Sequence, residues 1–350
     1  MSVYGKKLSL STGSLDRLDH LKQALATWVI RPEPDEILIV DWGNKQPLRD
    51  ALREFDDPRL VFARVKDQPH WLNAKCHNLE LQLITGEWLL RLDSDCLLEG
   101  NFFSLHYPGD NVFYAGNWKK APFDNDTRTR NKCGLTGTLF VKVADALKVN
   151  GYNERLVTYG AEDDDLYDRL ARSGLRRIDI DFATLDHIPH PTQKRYEHLK
   201  VAGELQTMIS AENTKGDIDE IRRCHLIGKS HALARSKPWT LNDKMTTWAT
   251  ERLSSQCVEC EEIIAYRSTM EQDVAWKSPE DFLPVEGYVP PATESKIIVG
   301  SAIPTRPSLP RATPKLPSRP SIALAPNQVT SLVYHHAHST LGPLRNTNYR

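Results

Sequence analysis

Residues 8–93 alternate between two hydrophobic periods. Leu8–Ser11 reads as a short strand. From Leu15 to Trp28, apolar residues at positions 15, 18, 21, 25 and 28 fall on one helical face. Glu36–Asp41 is a short apolar run rich in β-branched residues, a buried strand. Gln46–Phe55 reads as a helix, Leu60–Val65 as a third strand, Asn73–Thr85 as a helix stopped by Gly86, and Trp88–Asp93 as a fourth strand. Strand and helix in alternation, with short connections, predict an α/β fold: a Rossmann-like, open, mostly parallel sheet with flanking helices. In such sheets ligands bind beyond the carboxyl ends of the strands. Asp41 and Asp93 both fall at such ends, so the two acids are expected to face one crevice.

The pattern changes further along. Residues 196–280 are more polar and read as a helical extension, with Trp239, Trp248 and Trp276 as packing anchors. Ten prolines lie between Pro284 and Pro326, and residues 296–350 carry seven Lys or Arg and no acid. Proline every third or fourth residue removes helical and ladder hydrogen bonds. Residues 281–350 therefore read as a disordered basic tail, which could attach peripherally to a membrane surface. The organisation expected is 1–195, a ligand-binding α/β domain; 196–280, a helical extension; and 281–350, the tail.

Composition removes several function classes. The 350 residues are 40% hydrophobic and 26% charged, with a net charge of -1, so wholesale disorder and a globally basic nucleic-acid binder are excluded. No apolar run approaches the 18 residues of a membrane span, and the first ten residues do not read as a secretory leader. Six cysteines in a chain this long are not a disulfide scaffold. Cys257-x-x-Cys260 lacks a matching second pair, so these thiols are expected to stay unpaired. The expectation is a cytoplasmic protein with reduced thiols.

Candidate chemistry gathers in two acidic motifs. Asp93-Ser94-Asp95 directly follows the fourth strand. Two carboxylates at that spacing can hold one hard divalent cation, or one can hold the cation while the other holds a ribose. Glu162-Asp163-Asp164-Asp165 opens an amphipathic stretch continued by Leu166 and Leu170. Acids favour a helix N-terminus, but that accounts for one or two better than four. A rigid helix start also suits a general base. Gly134 and Gly137, in Cys133–Phe140, allow either a close approach to a ligand or a bulge. Gly116-Asn117-Trp118 could present an aromatic face to a sugar, or place Trp118 in the core.

Four segments together resemble a known family: Ile39-Val40-Asp41; WLNAKCHNLELQLITGEW from Trp71; LLRLDSD ending at Asp95; and GYNERLVTYGAEDDDLYDRLARSG from Gly151. They are similar to inverting glycosyltransferases of the GT-A fold in family 2, especially the β4-galactosyltransferase and chondroitin-polymerase-like branch. Gly151-Tyr152-Asn153-Glu154 matches that branch in full, and Asn73, Ala74, Asn78 and Gly86 are recognisable. Tyr159-Gly160-Ala161 departs from it where the branch often has Trp-Gly-Gly. The resemblance spans roughly residues 6–192.

What the resemblance implies is specific. Thr12, Asp41, Asn73 and Asp93 would bind the nucleotide sugar. Asp95 would ligate a metal bridging the diphosphate, joined by His187 or His190. Glu162 and Asp163 would face the acceptor, with Asp163 as catalytic base and Asp164 as runner-up. From their position just past the histidines, Lys194 and Arg195 could meet the diphosphate or equally be surface charges. Imidazole suits Mn2+ better than Mg2+, so Mn2+ is the expected cofactor, with Mg2+ as the alternative. The donor would be a UDP-sugar and the acceptor a glycan hydroxyl, with inversion in a single displacement. A retaining transferase, or a sugar-nucleotide-binding protein without turnover, is the alternative on the same fold.

Overall fold

The structure, a computed structural model, describes residues 5–117, 135–199 and 218–262. The elements in order are β1 (Leu8–Ser14), α1 (Leu18–Val29), β2 (Glu36–Trp42), α2 (Leu48–Ala51), β3 (Leu60–Val65), α3 (Asn73–Leu83), β4 (Trp88–Arg91), β5 (Cys96–Leu98) and α4 (Phe102–Leu105). There follow β6 (Val112–Ala115), β7 (Leu139–Lys142), α5 (Val143–Lys148), α6 (Glu162–Arg172), β8 (Arg176–Asp179), β9 (Leu185–His187), α7 (Ile218–Ser236), β10 (Trp248–Ser254) and β11 (Cys257–Glu262). All belong to one compact unit, Met1–Thr293.

Nine strands form one sheet in the order β10-β11-β3-β2-β1-β4-β7-β6-β8. The central block β11, β3, β2, β1 and β4 is parallel. β7 runs antiparallel to β4 and β6, and β10 antiparallel to β11. The Glu36–Trp42 run is continuously apolar around its two acids because both faces of β2 are covered. Alternate residues of a strand point to opposite sides. Ile37 and Ile39 pack with Leu21, Ala24, Leu25 and Trp28 of α1, whereas Leu38, Val40 and Trp42 pack with Cys76 and Leu79 of α3. This is the burial expected for a parallel sheet between helical layers.

Two predicted elements need correction. Gln46–Phe55 is helical only over Leu48–Ala51. Just beyond it, Arg59 donates to the carbonyls of Val29 and Pro34, drawing the chain into β3. The predicted helical extension over 196–280 is helical in the described residues at Ile218–Ser236, after a short 3-10 turn that ends at Arg195. Residues 248–262 instead form a hairpin that extends the sheet, with β11 parallel to β3. Trp248, Val258 and Cys260 join the core around Val40 and Trp42. Their tertiary neighbours override a sequence pattern that the charges of the hairpin obscure. Cys257 and Cys260 are both buried and free. Three residues apart on a strand, they point to opposite faces. Trp239 is buried, as an anchor should be, whereas Trp276, Trp118, Cys133, Gly134 and the tail lie outside the described residues.

A polar lock ties this hairpin to the middle of the chain. Asn78 on α3 accepts from the Tyr152 amide at 2.7 Å and donates to the Tyr152 carbonyl at 2.9 Å and to Glu154 at 2.8 Å. Glu154 in turn accepts from the Thr246 amide at 3.0 Å and from its hydroxyl at 2.5 Å, just before β10. The Gly151–Glu154 motif is thus a clasp between α3 and the sheet edge.

Candidate active site

β5 follows Asp95 directly and pairs antiparallel with β9, with Cys96 opposite His187. The Ile188 amide donates to the Asp95 carbonyl at 2.9 Å. α1 supports the same strand, since Trp28 Nε1 donates to the Cys96 carbonyl at 3.0 Å. This small ladder sets His187 Nε2 at 3.5 Å from Asp95 Oδ1 and His190 Nε2 at 3.0 Å from Asp95 Oδ2. Ligand atoms of the three residues lie within 4.8 Å of one another. Both histidines converge on Asp95. Burial alone would raise the Asp95 carboxyl, but the two imidazoles outweigh it and hold the group well below the usual carboxylate range. One carboxylate and two imidazoles form a donor set that suits Mn2+. The buried Nδ1 of His187 has no hydrogen-bond partner, so the ring is held by its backbone and by what faces Nε2.

The second motif opens α6. Gly160 and Ala161 both have positive φ, 83° and 71°, turning the chain sharply into Glu162. Asn73, at the start of α3, donates to Glu162 Oε1 at 2.5 Å, while Glu162 Oε2 is buried without a partner. Asp163 Oδ1 likewise accepts no hydrogen bond and lies 3.6 Å from Arg91 Nη1. Burial pushes the Asp163 carboxyl well above the usual carboxylate range; Arg91 opposes the shift, and Glu162, Asp93 and Asp164 reinforce it. Burial also raises Glu162. Asp164 is 44% exposed, with His231 of α7 3.9 Å away. Asp165 is spent on Arg169, at 2.7 Å.

Not every predicted residue faces this space. Thr12 is fully buried, its hydroxyl directed at the Gly13 carbonyl. Asp41 is 2% exposed, and its carboxylate accepts from the Asn44 amide, the Asn44 side chain and the Leu48 amide at 3.1, 2.8 and 3.0 Å. Asn44 also donates to the Ser14 carbonyl, so Asp41 shapes the loops after β1 and β2. Asp93 remains available at 35% exposure. Of the two downstream cations, Lys194 turns to Glu197, whereas Arg195 reaches the Tyr159 hydroxyl at 3.3 Å and feels Asp95.

Two site residues carried no assignment in the sequence. Arg17 donates to the Lys194 carbonyl, feels the Asp95 carboxylate, and keeps a buried Nη1 without a partner. Nothing in its local sequence marks it. Arg91 could have been found: it is the one charge in the otherwise apolar Trp88–Arg91 strand, and a buried cation requires partners.

Residues 121–200 match the family model described as the N-terminal domain of galactosyltransferase. The matched stretch contains the Glu162–Asp165 motif and both histidines, and of the four segments that carry the GT-A glycosyltransferase resemblance it contains the last, from Gly151. No curated protein matches the chain in sequence. Among solved structures, the catalytic domain of Drosophila β1,4-galactosyltransferase 7 in complex with xylobiose is 13% identical. That alignment covers 73% of this chain and 93% of the other, with a TM-score of 0.44. A mutant of the same enzyme in complex with manganese, UDP-Gal and xylobiose gives the same values. A mannosyltransferase from Pyrobaculum calidifontis in complex with GDP-Man and Mn2+ is 14% identical, with 67% and 66% coverage and a TM-score of 0.45.

Proposed function

We propose that this chain is a Mn2+-dependent glycosyltransferase that takes a nucleotide-diphosphate sugar, with UDP as the nucleotide, and inverts the anomeric centre on a glycan hydroxyl. The observation that carries the reading is the convergence of Asp95, His187 and His190 beside Asp93, with a second carboxylate, Asp163, whose buried Oδ1 accepts no hydrogen bond. The donors known from two of the solved structures, UDP-Gal and GDP-Man with manganese, are of the class proposed.

Asp95, His187 and His190 would hold the ion. When bound, Mn2+ neutralises negative charge building on the leaving diphosphate. Arg17 and Arg195 add fixed positive charge on the same side. Asp93 binds the ribose of the donor. Asp163 takes the proton from the attacking acceptor hydroxyl, and its raised carboxyl brings it closer to a working pH, where a general base is most effective. Asn73 anchors Glu162, which borders the acceptor space.

A thermal-shift screen of UDP- and GDP-sugars with and without Mn2+, followed by turnover assays, tests this reading. Stabilisation by a nucleotide sugar should require Mn2+ and disappear in Asp95→Ala. NMR of the product anomer should show inversion. Equal stabilisation in EDTA, or in Asp95→Ala, would remove the metal assignment.

A further inference from the structure

Arg91 sits within a chain of buried polar contacts that the transfer reaction leaves unexplained. A guanidinium inside an apolar strand is costly unless each arm finds a partner. Nη1 donates to the Gly137 carbonyl and lies 3.6 Å from Asp163 Oδ1. Nη2 donates to Asp93 Oδ1 at 2.5 Å and lies 2.7 Å from His77 Nε2. Behind it, His77 Nδ1 is 3.0 Å from Glu80 Oε1, and Glu80 Oε2 accepts from the Ser11 hydroxyl at 2.5 Å.

The tautomer follows from donor and acceptor chemistry. A guanidinium can only donate, so His77 Nε2 presents its lone pair and Nδ1 carries the proton to Glu80. Burial and Arg91 both hold His77 below its usual range, in keeping with a neutral ring. Cys76, His77 and Glu80 also lie close enough together to resemble a cation site. Arg91 already occupies the His77 lone pair, and both Glu80 oxygens are bonded, so a cation there would meet a guanidinium.

Gly137 shows how tightly the groups converge. A Cβ at that position would lie 2.5 Å from Arg91 Nη1, 3.0 Å from Asp93 Oδ2 and 3.2 Å from Asp163 Oδ2. One point thus touches the donor-side acid, the base and the cation between them.

We propose that Arg91 is a positioning residue whose fork is bonded to Asp93 by one arm and sets its charge 3.6 Å from Asp163 with the other, while His77 and Glu80 fix the fork from behind. The names donor side and base rest on the transferase reading; the coupling of the two carboxylates does not. Among the described residues, the groups facing Asp163 are Arg91 from β4, Asp93 just after it, Glu162, Asp164 and Tyr167 from its own helix, and Tyr152. Arg91 is the cation in that described set. Lysine cannot replace it, because a single ammonium lacks the planar fork.

The test is an NMR titration of the Asp163 carboxyl in the full chain labelled with 13C-aspartate, the signal being assigned by its loss in Asp163→Asn. Arg91→Met should raise the midpoint by about one to three pH units, the effect of losing an opposite charge at this range. Arg91→Lys should raise it less, and it keeps the buried charge should Arg91→Met not fold. A folded variant of either kind with the wild-type midpoint overturns the proposal. In the turnover assay, Arg91→Lys should lower kcat at least tenfold through Asp163 and, through Asp93, raise donor KM severalfold; wild-type kcat also overturns the proposal. If the wild type transfers no sugar but the midpoints move, the coupling stands and the transferase reading falls. Sugar transfer with unmoved midpoints gives the reverse.

Discussion

Asp163 and Asp164 are neighbours in sequence with opposite surroundings. Asp163 is drawn beside Arg91 and away from water, while Asp164 is 44% exposed on the outer side of the helix. Asp163→Asn should therefore cost about 10^2–10^4 in kcat, the usual contribution of a general base, and Asp164→Asn less than tenfold. The carboxyl of Asp163 is raised and the base works when ionised, so kcat should climb with pH through that raised midpoint. Glu162 gives a stability prediction of its own. Its folded-state carboxyl is raised by burial, so its contribution to stability is full below the unfolded value and is lost as pH rises through the raised one. Glu162→Gln removes that loss and still offers Asn73 an acceptor. Melting temperatures at pH 5 and pH 8 should show the variant gaining on the wild type as pH rises, at the expense of turnover.

At the scale of elements, the loops entering the motifs are where backbone geometry decides. Gly151 has φ 56°, and a Cβ there would lie 2.3 Å from Asn78 Oδ1, inside the clasp that holds the Gly151–Glu154 segment on α3. Gly151→Ala should destabilise the fold by about 2 kcal/mol or more, from a strained backbone and a broken buried hydrogen bond together. Ala161 is the converse case. It stands at φ 71°, a conformation glycine adopts freely, in the position where the resembled branch often has glycine. Ala161→Gly should hold or raise stability, by up to about 1 kcal/mol in denaturant unfolding, strain relief being offset by unfolded-state entropy. Sequence pattern located β2, β3 and α3 well, because each carries a full period of buried residues. It overextended α2, whose end is set by the turn of the chain toward β3, and it missed β11, where Glu259 and Glu261 alternate with buried Cys260 and break the apolar run.

For the whole molecule, the hairpin 248–262 is part of the fold and the residues beyond Thr293 are not part of that unit. A chain ending at Thr293 should keep the melting temperature of the full protein. A chain ending at residue 247 should lose about 4 kcal/mol or more, since it uncovers the β3 edge and removes Trp248 and Val258 from the core, at roughly 1.5–3 kcal/mol per large buried side chain. The parallel α/β order, the two acidic motifs and the two histidines were legible in the residues, because periodicity and local spacing write them there. Which of those residues meet was not. Asp95 joins His187 and His190 through a ladder between strands nearly ninety positions apart, roughly counted from their central residues. Asp41 was set to work inside a loop instead of in the crevice, since the Asn44 and Leu48 amides need an acceptor once they are buried. Arg91 acquired its partners from α3, α6 and the Gly137 turn. Local pattern specifies each element because neighbouring residues share one backbone geometry, whereas a site assembled across the chain exists only after packing has closed the distances between them.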